Sequence, residues 1–69
     1  MKEYSRILIE KYCTEHRKRK LARLVEMSYD PAAEASDADA LYLEKLIDQT
    51  DDEELNAALK DLDDYLLGW

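Results

Sequence analysis

Two side chains with chemical potential stand close together early in the chain. Cys13 and His16 are three residues apart and fall on one side of a helix. A thiol beside an imidazole is the pairing of a thiolate nucleophile with its base, and the cations that follow at 17–20 would favour the thiolate. Such pairs are usually remote in sequence and need a third group to orient the base. None is visible here, so a buried or interface thiol and a surface histidine are the expected roles. With one Cys and one His in the chain, neither an internal disulfide nor a structural zinc site can be assembled.

The carboxylates suggest metal binding next. "DLDD" sets Asp61 and Asp64 one helical turn apart, and "TDDEE" gathers four acids after Thr50. A calcium loop needs oxygen ligands at alternate positions around a glycine, and the one glycine is residue 68. That also removes a glycine-rich phosphate loop. Acids at a helix start and along a solvated face account for these residues. The chain is therefore expected to have no catalytic, cofactor-binding or metal-binding residues, and not to be an enzyme.

The third candidate is basic. "TEHRKRK", residues 14–20, ends in four consecutive cations within a chain of formal net charge −7. On a continuous helix, steps of about 100° send these four side chains around the whole axis. A nucleic-acid footprint normally lines one face. Direct nucleic-acid binding is thus not expected, and a solvated stretch is the plain reading. Charge is segregated along the chain. Residues 1–29 hold eight Lys and Arg against four Glu, whereas residues 30–69 hold two Lys against thirteen acids.

These residues must be positioned by helices. Eleven Leu and eight Ala against three Ile and one Val favour helix over sheet. The fold class expected is all-α, with a long N-terminal helix packed against a C-terminal antiparallel helical hairpin. The whole chain, 1–69, is expected to be a single helical domain and a complete gene product. The first helix is expected from Glu3 to Tyr29, ending before Pro31, because the residue before a proline is disfavoured in a helix. The second is expected from Ser36, paired with Asp39 as a capping box, to about Gln49, with Tyr42, Leu43, Leu46 and Ile47 inward and Leu41 opposite. The third is expected to start with Thr50 as N-cap and Glu53 as its reciprocal partner. Its inward stripe is Leu55, Ala58, Leu59, Leu62, Tyr65, Leu66 and Trp69, with Gly68 at the C-cap.

Lengths then suggest a binding surface. A helix from 3 to 29 would be about 40 Å long, twice the second helix. The first dozen residues would project past the hairpin with an apolar face uncovered, and the acidic turn "QTDDEE" would approach the basic stretch. A kink near Thr14 is the alternative, but no Pro or Gly is present to cause it. An uncovered apolar face of this kind seeks a protein partner, which could be a second copy of the chain as a homodimer.

The expected function is a non-enzymatic protein–protein interaction module, a small helical adaptor, chaperone or regulator. The partner-binding residues would be Tyr4, Ile7, Leu8, Tyr12, Arg17 and Arg19. The alternative is an acidic inhibitor or nucleic-acid mimic that places Asp48, Asp52 and Asp61 in a basic cleft. No stretch approaches the roughly 20 apolar residues of a membrane span, and the N-terminus has no secretory core. With a lone thiol, this leads us to expect a cytoplasmic protein that does not engage membranes.

Overall fold

The computed structural model describes residues 1–67. Four helices make up the described chain: α1, Glu3–His16; α2, Arg19–Met27; α3, Asp37–Gln49; and α4, Glu53–Leu67. The class is all-α as expected, but there are four helices and not three. The expected 3–29 helix is broken at Arg17, whose φ of 53° and ψ of 46° put it in the left-handed region. Its N–H group closes the end of α1 on the Cys13 carbonyl. Lys18 N–H bonds the same carbonyl at 3.1 Å, and α2 begins at Arg19.

This break corrects both the predicted continuity and the predicted kink site, which falls three residues beyond Thr14. A left-handed turn usually recruits glycine, because a Cβ costs about 1 kcal/mol there. Here packing outweighs that cost. A straight continuation through 14–20 would carry two turns with no apolar face, whereas turning lays α1 and α2 against each other. Leu21, Leu24 and Val25 of α2 are then buried with Ile9 and Cys13 of α1. Arg17 and Arg19 are exposed at the corner, Lys18 is half-buried, and Lys20 reaches toward α3.

With the rod folded, the described chain measures 29 × 21 × 20 Å. No residue range reaches the roughly 40 Å of the expected first helix. Residues 1–13 do not project. They pack along α4, with Ser5, Ile9 and Cys13 buried. The core is one cluster in which Ile9, Leu21, Leu24, Leu43, Leu59 and Leu62 are fully enclosed.

The second half follows the sequence reading more closely. Ser36 and Asp39 form the expected capping box: Ser36 Oγ accepts from Asp39 N–H at 3.2 Å, and Asp39 Oδ2 from Ser36 N–H at 3.0 Å. Leu43 and Leu46 face the core while Leu41 is 59% exposed on the opposite side. The predicted start of α4 needs correction. Thr50 is the C-cap of α3, its hydroxyl donating to the Leu46 carbonyl at 2.6 Å. Asp52 caps α4 instead, accepting from the N–H groups of Glu54 at 3.0 Å and Leu55 at 3.2 Å. A carboxylate is a stronger acceptor than a hydroxyl and gains from the positive end of the helix dipole, which explains the choice. Leu55, Ala58, Leu59 and Leu62 form the buried stripe, but Tyr65 is 48% exposed and does not belong to it. The predicted Gly68 cap and Trp69 contact lie outside the described residues.

Four contacts tie the segments together. Arg23 of α2 sits 3.7 Å from buried Asp39, and the Lys20 ammonium lies 4.9 Å from the centre of the Tyr42 ring. Beyond the end of α2, Tyr29 folds back over α1: its hydroxyl donates to Glu10 at 2.8 Å, and its ring covers the Arg6 guanidinium at 4.2 Å. Asp30 Oδ1 accepts from Ala32 N–H at 2.9 Å, shaping the turn through Pro31.

Candidate functional site

The outer face of α1 is built from residues spaced three and four apart. Ser5, Ile9 and Cys13 set the inward direction of this helix. At about 100° per residue, Tyr4, Ile7 and Lys11 then point away from the core, with Leu8 at the edge. Accessibility agrees: Tyr4 is 62% and Ile7 56% exposed, while Leu8 and Tyr12 are half-buried. An exposed tyrosine is commonplace, but an exposed isoleucine beside it, continued by Leu8, makes a contiguous apolar ridge.

Tyr4 is held in place. Its hydroxyl donates to Glu54 Oε2 at 3.1 Å, which anchors the ring over the gap between α1 and α4. That gap is a groove of about 480 Å³ walled by Tyr4, Leu8, Ala57 and Ala58 and rimmed by Lys2 and Asp61. The small side chains of Ala57 and Ala58 keep it open.

The six predicted contact residues do not form one patch. Tyr4, Ile7 and Leu8 adjoin one another as expected. Tyr12 has turned inward toward the core, its ring 4.7 Å from that of His16. Arg17 and Arg19 are exposed at the α1–α2 corner, where with Cys13, Thr14, Lys18 and Ala22 they line a separate groove of about 360 Å³. Thirteen residues of helix, about 20 Å, separate Arg17 from Tyr4. Among the described residues, no ion pair joins cations 17–20 to the acidic turn after Gln49.

The three acids of the alternative reading serve different ends. Asp52 caps α4. Asp61 reaches across to α1, where Oδ2 accepts from the Lys2 backbone N–H at 2.9 Å. That hydrogen bond holds the Asp61 carboxyl below the usual carboxylate range, with burial opposing. Asp48 is exposed. A different acidic group appears between α3 and α4. Burial, followed by the neighbouring charges of Asp64 and Glu44, pushes the Asp63 carboxyl up.

Cys13 and His16 do not face each other productively. The thiol is buried, and its surroundings, followed by the charge of Glu10, push it up to about 11. His16 is exposed at the end of α1. Among the described residues, no three His, Cys, Asp or Glu side chains converge as a metal site would need, and no helix is long and apolar enough to cross a membrane.

Sequence reasoning missed three working residues: Asp61 as a cap supplied by another helix, Tyr29 as the cover on Arg6, and Asn56. The Asn56 amide donates to the Ile47 carbonyl at 2.8 Å, satisfying the end of α3 from α4. None carries a local signal, because each acts on a residue at least nine positions away. The chain matches no family model, no curated protein and no solved structure.

Proposed function

We propose that this chain is a non-enzymatic protein–protein interaction module whose contact surface is the outer face of α1, with Tyr4 and Ile7 at its centre and Leu8 at its edge. One observation carries the reading: Ile7 is 56% exposed on a helix whose other face supplies the core, directly beside Tyr4 at 62%. Burying that ridge is favourable at about 25 cal/mol per Å² of apolar surface. Tyr4 suits a contact because its ring is already fixed by Glu54, so little side-chain freedom is lost on binding. Arg17 and Arg19, further along, would act on orientation and association rate.

The acidic-inhibitor reading is weaker on this geometry, since Asp52 and Asp61 are engaged in capping. Site-specific photo-crosslinking separates the two. A benzophenone side chain replacing Ile7, Asp48 or Leu41 is irradiated in the native lysate and in purified protein. A discrete adduct from position 7, absent from 41 and 48, is expected. Adducts from position 48 with none from 7 would transfer the contact to the acidic surface.

A further inference from the structure

Resting on that reading of the outer face of α1, we infer that its occupant is a second copy of this chain, docked antiparallel with Ile7 against the partner's Ile7. The inference comes from the charges that flank Ile7. Glu3, Ile7 and Lys11 are spaced four apart and form one outward ridge, and all three are exposed. When the i±4n ridges of two helices lie side by side, the ridges run parallel to each other. Placing a twofold axis at Ile7 then sets residue i against residue 14 − i of the other copy. Glu3 meets the partner's Lys11, and Lys11 meets the partner's Glu3.

The ridge is therefore complementary to itself, which a twofold contact requires. A parallel pairing would set Glu3 against Glu3 and Lys11 against Lys11, so charge selects the antiparallel arrangement. The neighbours agree. Tyr4 falls beside the partner's Glu10, and Leu8 lies at the edge of the contact, since Arg6 is covered by its own Tyr29. No like charges oppose each other in this register. Lys11 is free to turn toward the partner, because its own bond to Glu15 is long, at 3.9 Å, and solvent-exposed.

Size limits the strength. A stable complex buries about 800 Å² on each partner. That is about a sixth of the 4954 Å² surface of this chain. A single helical ridge with its edges supplies less, so the pair is a weak one, dissociating at about 10–100 µM in low salt.

The test uses sedimentation equilibrium at low ionic strength on the full chain, with helicity checked by circular dichroism. Glu3→Lys sets cations against cations in its own dimer, and Lys11→Glu sets anions against anions. Mixed one to one, the two variants face each other with opposite charges at both contacts. The wild type is expected to approach twice its monomer mass as concentration rises. Each single variant should associate about tenfold more weakly. The mixture should recover the wild-type affinity, and Ile7→Asp should be monomeric. Recovery on mixing cannot come from a variant that has merely unfolded. If Ile7→Asp abolishes association but the charge variants and their mixture behave like the wild type, the register is wrong and the outer-face reading stands. If the wild type is monomeric throughout and the mixture gains nothing, the second copy is not the occupant.

Discussion

Asp61 in the middle of α4 caps the beginning of α1, its carboxylate accepting the Lys2 backbone N–H at 2.9 Å. The residue at the N-cap of α1, Lys2, offers no side-chain cap of its own. Among the described residues α4 thus caps the first helix, from a position 59 residues away.

Replacing Asp61 with Ala should remove this contribution, at a cost of about 1 kcal/mol, the usual value of a helix cap, whereas Asn keeps an acceptor oxygen and loses only the titrating charge. Asp61 titrates below its ordinary range in the folded protein because of the Lys2 bond. Its stabilising effect is therefore complete above the unfolded-state value of about 3.9 and is lost as pH falls through the folded value. Asp39, held low first by the Ser36 backbone N–H, adds to the same trend. Thermal melts from pH 7 to pH 2 should show a steeper acid loss for the wild type than for Asp61→Asn. Parallel curves would mean that the bond does not form in solution.

The corner at Arg17 predicts an unusual gain. Glycine avoids the left-handed penalty, so Arg17→Gly should stabilise the fold by about 0.5–1 kcal/mol, and Arg17→Val should destabilise it by at least as much. Urea denaturation followed at 222 nm checks this. Were α1 and α2 one straight helix, the order would reverse, because glycine weakens a helix interior.

Asn56 fastens the α3–α4 turn through the Ile47 carbonyl. Asn56→Ala should cost about 1 kcal/mol and speed amide exchange at the end of α3 before the rest of the protein. Uniformly faster exchange with no local maximum there would contradict a local fastening.

Burial and a thiol pushed up to about 11 make Cys13 poorly reactive. At pH 8 Ellman's reagent should label it only as fast as the fold opens, with immediate reaction in urea. Rapid labelling of the folded protein would show that the α1–α2 contact is loose.

Half of this architecture was legible in the residues themselves. Ser36 and Asp39 announced a helix start because a capping box is local, and the alternation of Leu43, Leu46 and Leu41 gave the faces of α3 without ambiguity. The break at Arg17 was not legible, since no glycine or proline marks it. Its only trace is the run 14–20 with no apolar residue, which a folded chain can use as a corner as readily as a solvated helix. Asp52 and not Thr50 caps α4, because Thr50 is taken up by the end of α3, and where α3 ends is not a local signal. A projecting helix would leave Tyr4, Ile7, Leu8 and Tyr12 uncovered alike; with α1 packed on α4, Tyr4 and Ile7 stay outward, Leu8 lies at the edge and Tyr12 turns toward the core.

The outward ridge of α1 is where the account is most exposed to test. A concentration series of amide ¹H–¹⁵N spectra, from about the dissociation range upward, reads it residue by residue. Peaks of Glu3, Tyr4, Ile7 and Lys11 should move together and saturate, while those of Leu41 and Asp48 stay fixed. Shifts centred on α3, or peaks that do not move at any concentration, would contradict contact between copies through this face.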